Sequence, residues 1–294
     1  MVFRFGLTGF PLGHSLSPVM HKAALEAAGL AGSYELFPVL PFPEGLDDLK
    51  SVVDMLRSGE LQGLNVTIPH KQSILQFVDI CSPAVQRVGA ANVIYKADGL
   101  VMAENTDIAA FKNDLNTWLS TSPRSLPARK ALVLGAGGAA RAVADVLLSE
   151  AYEVWIAARN LHQAIDLCAG FSHWYPGRTL KAIPLLGKSF AALNFPMLIV
   201  NATPVGMPPL LDQSPWPAEV KLPDGSFVYD LIYNPSETVL LRTARAAELP
   251  AVSGGGMLVA QAALAFSLWT GQPSPDQVMR TAFDRQIEKK RTDI

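Results

Sequence analysis

The chain has 294 residues, of which 49% are hydrophobic and 17% charged, with a formal net charge of -2. That length exceeds one typical core and suits two domains. The near-neutral charge excludes the clustered basic excess that a nucleic-acid partner requires, and two cysteines, Cys81 and Cys168, cannot build a disulfide framework and suit a reducing cytoplasm.

The predicted elements alternate from the start. FRFGLTG reads as a strand, and Ser17-Pro18 opens the helix VMHKAALEAAGL, ended by Gly29. YELFPVL is a strand, followed by a helix within 44–58 and the strand LQGLNVTI. Pro69 suits the first position of a further helix, HKQSILQFV. ANVIYKA and LVMAENT are joined by Asp98-Gly99, a hairpin signal. This alternation implies an α/β unit with a largely parallel sheet. A loop rich in Pro and Ser, 121–130, then introduces ALVLG, a strand apolar enough to be buried on both faces. A helix over 138–150, the strands EVWIAA, MLIVNAT and SFVYDLIY, and the helix ETVLLRTARAAEL follow. The apolar stretch 258–269 is too short to span a membrane and reads as a buried helix within 257–270. A charged, fraying tail over 288–294 ends the chain. The N-terminal residues lack the uninterrupted apolar run of a signal peptide, and the histidines show no metal-ligand spacing, so no metal is expected.

Strand, then Gly135-Ala136-Gly137-Gly138-Ala139-Ala140, then helix is the context in which a glycine motif signals a dinucleotide. Gly135 permits the tight turn, Gly137 lets backbone approach a pyrophosphate, and Ala140 allows close helix–strand packing. The helix start offers N–H groups to phosphate. An NAD site usually places a carboxylate at the end of the second strand. Here that strand ends Ala158-Arg159-Asn160, and a guanidinium pairs with a 2′-phosphate, which favours NADP. The missing carboxylate also argues against S-adenosylmethionine.

Lys71, two residues after Pro69, would stand in a first helical turn, where a cation is unfavourable by about 0.3–1 kcal/mol. Such a local conflict marks either a functional lysine or a surface lysine whose stem escapes the dipole. The same field would favour the neutral amine. Asn105-Thr106-Asp107 reads as a helix start, with capping the simpler account. Ser15 and Ser17, beside Pro18, serve equally as caps or as donors to a carboxylate ligand.

Seven segments resemble one family, in order along nearly the whole chain. They are G-H-S-L-S-P (13–18), N-V-T-I-P-H-K (65–71), G-A-A-N (89–92), N-T-D (105–107), G-A-G-G-A-A-R (135–141), N-A-T-P-V-G-M (201–207) and G-M-L-V-A-Q-A (256–262). The family is that of the shikimate dehydrogenases, which reduce 3-dehydroshikimate to shikimate with NADPH on the route to chorismate and the aromatic amino acids. The resemblance implies two α/β domains, a substrate domain over 1–107 with 257–294 and a Rossmann-like NADP domain over 108–256, with the active site in the cleft between them. It implies Lys71 and Asp107 as the catalytic pair. Ser15 and Ser17 would bind the substrate carboxylate, and Asn65, Thr67, Asn92, Tyr233 and Gln261 its hydroxyls. Gly135, Ala136, Gly137, Gly138, Ala139, Ala158, Arg159, Asn201, Thr203, Leu231 and Gly254 would hold the cofactor, the last two near the nicotinamide. A cytoplasmic monomer or homodimer with no membrane or nucleic-acid partner is expected.

Three departures from the family pattern stand out. Ile108-Ala109-Ala110 replaces G-x-G after N-T-D, which bears on closure or packing. Ala158-Arg159-Asn160 replaces N-R-T, which weakens the NADP preference. Gly254-Gly255-Gly256 implies a looser approach to the nicotinamide. The alternatives are a relative that oxidises quinate, with relaxed or NAD cofactor use, and a ligand-binding relative without turnover. The retained Lys71 and Asp107 speak against the second.

Overall fold

In the computed structural model, which describes residues 2–292, the chain forms two compact units, Met1–Ala110 with Leu258–Ile294, and Phe111–Met257. The first begins with β1 (Phe3–Gly9), α1 (Ser17–Ala27), β2 (Gly32–Pro38), α2 (Leu46–Ser58) and β3 (Gly63–Val66). There follow β4 (Ile80–Cys81), α3 (Pro83–Val88), β5 (Val93–Ala97), β6 (Leu100–Glu104) and the start of α4 (Thr106–Thr121). The strands lie in the order β2-β1-β3-β5-β6-β4. They pair in parallel except where β5 runs antiparallel to β3 and β6. The β5–β6 pair follows from the Asp98-Gly99 turn, whose residues both take positive φ (51° and 81°), as a type I′ hairpin requires.

Helix α2 shows how sequence makes these elements. Asp47 and Asp48 occupy its first turn and Arg57 its last, each matched to the helix dipole, and Gly59 ends it with φ 84°. Leu49, Val52, Val53 and Leu56 recur at helical spacing and are buried with Leu64, Val66 and Ile94 of the sheet.

The second unit carries β7 (Lys130–Leu134), α5 (Gly138–Ser149), β8 (Glu153–Ala158), α6 (Leu161–Phe171), β9 (Leu180–Pro184) and α7 (Gly187–Ala191). It continues through β10 (Leu198–Asn201), β11 (Phe227–Asp230), α8 (Val239–Ala246) and β12 (Ala251–Ser253). All strands are parallel, in the order β12-β11-β10-β7-β8-β9. This is the doubly wound order of dinucleotide-binding folds, reversing between β7 and β10. Ligands of such sheets lie outside the carboxyl ends of the strands at that reversal.

The chain returns to the first unit through α9 (Gly255–Thr270) and α10 (Asp276–Thr292). Trp269 of α9 stacks on Phe5 with centroids 4.8 Å apart. A Cβ on Gly63 would stand 2.4 Å from the Trp269 indole, so only glycine lets that ring lie on β3. The charged segment expected as a fraying tail is helical through Thr292, and residues 293–294 lie outside the described residues.

Pro69 does not open a helix. Residues 69–72 form turns, and only a short 3-10 turn, Ser73–Phe77, follows. Tertiary partners take the backbone and side chains that a helix would have used. The Lys71 carbonyl accepts from Ala91 N at 2.8 Å, and the buried His70 ring contacts the Val39 carbonyl oxygen at 2.9 Å.

Candidate active site

The first unit gathers polar side chains at the carboxyl end of β3 and the start of α4. Lys71 Nζ lies 2.5 Å from Asp107 Oδ2, with the two side chains only 16% and 4% exposed. Asn92, just before β5, organises the cluster. Its Nδ2 lies within donating distance of Asp107 Oδ1 and Thr106 Oγ1, both at 2.9 Å, and of Gln261 Oε1 at 3.3 Å. Its Oδ1 accepts from Thr106 N at 2.7 Å. Asn65 donates through Nδ2 to the Asn92 carbonyl at 3.3 Å. Gln261 reaches the cluster because α9 belongs to this unit, and its own carbonyl accepts from Thr106 Oγ1 at 3.2 Å.

Capping does not account for the Asn105-Thr106-Asp107 segment. Asn105 Nδ2 donates to the Ala90 carbonyl, Thr106 Oγ1 to Gln261, and the first-turn amide of Thr106 is met by Asn92. The dipole argument for Lys71 also falls away, because no α-helix begins beside it. What singles out Lys71 is its buried carboxylate partner.

At the start of α1, Leu16 rather than Ser17 stands at the cap, and Ser17 is the first helical residue. Ser15 Oγ accepts from Ser17 N at 3.2 Å. Ser15 is half-buried and Ser17 buried. Thr67 is half-buried, and its amide donates to the Thr8 carbonyl at 2.9 Å, which anchors it beside β1.

In the second unit, two loops meet where the strand order reverses. Gly135 takes φ 109°, and a Cβ there would stand 3.0 Å from the Ala202 carbonyl oxygen. A Cβ at Gly137 would meet no protein atom within 4 Å, so glycine keeps the space above that backbone free. Helix α5 starts there, at Gly138, with no hydrogen bond from a capping side chain to its first-turn N–H groups. Ala136, Ala140 and Ala158 are buried, and Arg159 is exposed at the end of β8. Asn160 caps α6, accepting from His162 N at 3.1 Å.

The Asn201 amide is used within its own loop. Its Oδ1 accepts from Thr203 N and Oγ1, and its Nδ2 donates to the Val205 carbonyl and to Asp230 Oδ1. Asp230 also accepts from Ile232 N at 3.0 Å and Thr238 Oγ1 at 2.7 Å. Burial pushes this carboxyl up to about 6, against the pull of those three donors. Asp230 thereby joins the Asn201 loop to the Leu231 segment. The Leu231 amide donates to the Asn201 carbonyl at 2.9 Å. Tyr233 is half-buried on the second unit.

Gly254 and Gly256 are not loosely placed. A Cβ on Gly254 would stand 2.3 Å from the Leu231 carbonyl oxygen, and one on Gly256 1.9 Å from the Asp114 carboxylate. Asp114 also accepts a hydrogen bond from Tyr229. Without the glycines of G-x-G, α4 runs unbroken, with Ala110 fully buried and Ala109 exposed.

Asp230 and Tyr34, whose hydroxyl donates to Asn65 Oδ1 at 2.8 Å, were not signalled by sequence. Their partners lie on other strands or beyond a strand end, where no local spacing announces them.

Residues 7–94 match the shikimate dehydrogenase substrate binding domain, and residues 254–282 the shikimate 5'-dehydrogenase C-terminal domain. The chain is 38% identical to a shikimate dehydrogenase (NADP(+)) of Desulforamulus reducens, covering 97% of this chain and 95% of that one. It superposes on shikimate 5-dehydrogenase of Thermus thermophilus in complex with NADP(H) and shikimate. The TM-score is 0.77 and the identity 38%, over 97% of this chain and 99% of that one. It also superposes on quinate dehydrogenase of Corynebacterium glutamicum in complex with NAD, with TM-score 0.80 and 30% identity over 96% and 98% of the two chains.

Proposed function

Because the chain belongs to the shikimate dehydrogenase family, we propose that it catalyses the reversible NADP-dependent reduction of 3-dehydroshikimate to shikimate, with Lys71 and Asp107 as its acid–base pair. The observation that carries this reading is the buried 2.5 Å contact between Lys71 Nζ and Asp107 Oδ2, set among the amides of Asn92, Asn65 and Gln261.

Bound NADPH supplies the hydride for the carbonyl carbon. The protein must then deliver a proton to the carbonyl oxygen. Lys71 Nζ serves as that donor and offsets the negative charge developing on the oxygen. Asp107 Oδ2 accepts from Lys71 Nζ, which fixes the direction of the amine. Asn92 holds Asp107 through the opposite carboxylate oxygen, so the carboxylate is braced from both sides. In the oxidative direction Lys71 takes the hydroxyl proton back. Ser15 and Ser17 bind the substrate carboxylate, and Asn65, Thr67, Asn92 and Gln261 contact its hydroxyls.

The second unit fits a dinucleotide. The Gly135 turn and the uncapped start of α5 suit the pyrophosphate. Arg159, with no carboxylate at the end of β8, suits a 2′-phosphate. Asn201 and Thr203 support this site by shaping the loop after β10. Leu231 and Gly254 stand as the nicotinamide contacts. A cytoplasmic location belongs to the same proposal, and no helix among the described residues is long and apolar enough to cross a membrane.

Initial rates with shikimate or quinate, each against NADP or NAD, test the assignment. The highest kcat/KM is expected for shikimate with NADP. Quinate with NAD as the best pair would overturn it in favour of a quinate dehydrogenase.

A further inference from the structure

The Asn65 amide is oriented by a group outside the proposed substrate cluster. Its Nδ2 donates to the Asn92 carbonyl oxygen at 3.3 Å. A carbonyl only accepts, so this contact decides which end of the amide is nitrogen. The other end, Oδ1, faces the Tyr34 hydroxyl at 2.8 Å, and the tyrosine donates. One Nδ2 hydrogen remains to donate elsewhere.

Tyr34 reaches Asn65 across an intervening strand. It pairs in register with Phe5 of β1, and Leu7 of β1 pairs with Asn65 of β3. Its ring is held by His21 of α1, nearly parallel at 9° and 4.2 Å between centroids. Trp269 flanks the same imidazole at 5.4 Å. Burial pushes the His21 imidazole down to about 3, the Asn65 amide opposing part of that shift, so the stacked ring is neutral.

We propose that Tyr34 is a positioning residue for the substrate. Its hydroxyl, aimed by the His21 stack, keeps the free Nδ2 hydrogen of Asn65 turned toward a substrate hydroxyl. This rests on the substrate role of Asn65 given above. Loss of the hydroxyl takes the tyrosine donor from a buried amide oxygen, and the amide can then turn and present acceptor where donor is needed.

Tyr34→Phe removes the hydroxyl and keeps the stacked ring. From the cost of an unmet buried acceptor, the shikimate KM should rise about 5- to 50-fold. The KM for NADP and kcat should stay within about twofold, since only substrate-binding interactions are touched. In an Asn65→Ala background the same change should alter shikimate KM by less than about twofold, because Tyr34 acts only through Asn65. An unchanged shikimate KM in Tyr34→Phe, or effects that multiply in the double variant, would overturn the proposal. An independent measurement needs no variant. In the ¹⁵N-labelled wild-type chain, the Asn65 side-chain NH₂ should give one sharp inequivalent pair that shifts on adding shikimate. An exchange-broadened or doubled pair would show that the amide is not held. A wild-type chain inactive with shikimate and NADP would sink the substrate reading itself. An active one with KM insensitive to Tyr34 would sink only the positioning role.

Discussion

Truncation of Lys71 to alanine separates two losses. The first is chemical. Lys71 Nζ, 2.5 Å from Asp107 Oδ2, is the proposed proton donor to the carbonyl oxygen. A positioned acid–base group contributes about 100- to 10,000-fold in rate. At about 1.36 kcal/mol per decade, that corresponds to about 3–5 kcal/mol of barrier. The second loss is structural. Asp107, 4% exposed, would keep Asn92 Nδ2 at 2.9 Å as its side-chain donor and lose its countercharge. Removing one partner of a buried pair costs about 3–5 kcal/mol of stability. Asn65, Thr67 and Gln261 stay in place, so shikimate KM should change little. Initial rates followed by NADPH absorbance, below the variant's melting midpoint, give kcat and KM separately. A kcat within about tenfold of wild type would remove Lys71 from the mechanism, and a large rise in KM with kcat intact would make it a binding residue.

Arg159→Ala should raise KM for NADP far more than for NAD, and equal changes would mean that this guanidinium never meets the 2′-phosphate. Gly135→Ala places a side chain at φ 109° and 3.0 Å from the Ala202 carbonyl oxygen. Strain of about 1–3 kcal/mol should lower the melting temperature and weaken NADP binding in calorimetry. A variant unchanged in both would contradict the crowding described. Asp230 titrates at about 6 when folded, against 3.8 in an unperturbed carboxyl. The folded state therefore binds this proton more tightly, and the stabilisation, about 3 kcal/mol, is fully present below pH 3.8 and lost as pH rises through about 6. Asp230→Asn should flatten the slope of unfolding free energy between pH 4 and 6, measured by urea titration, and parallel slopes would refute the assignment.

Sequence patterning succeeded where structure depends on near neighbours. The Asp98-Gly99 hairpin and the turn from Gly135 both follow from local backbone demands that particular residues meet. The second unit hid more. Helix α6 was legible in principle, since Asn160 caps it and Ala164, Leu167 and Phe171 recur on its buried face. Strand β9 was not, because it is an edge strand with mostly half-buried side chains and no clean alternation. Lys71 stands out in the sequence through a helix dipole that the fold does not supply. The helix expected after Pro69 lost its backbone to a contact with Ala91, residues away in sequence. Asp107, Asn92 and Gln261 converge through the fold of the sheet and the return of α9, and their mutual hydrogen bonds have no signature along the chain.

That return bears on the order of synthesis. Phe111–Met257 is one continuous stretch, whereas the unit holding Lys71 and Asp107 is completed only by Leu258–Ile294. As the chain leaves the ribosome, the later unit has all its strands while the earlier one still lacks the helix that brings Trp269 onto Phe5 and Gly63. During that interval the nascent chain carries an uncovered apolar sheet face, and it is α9, made after the whole of the second unit, that seals the sheet of the first.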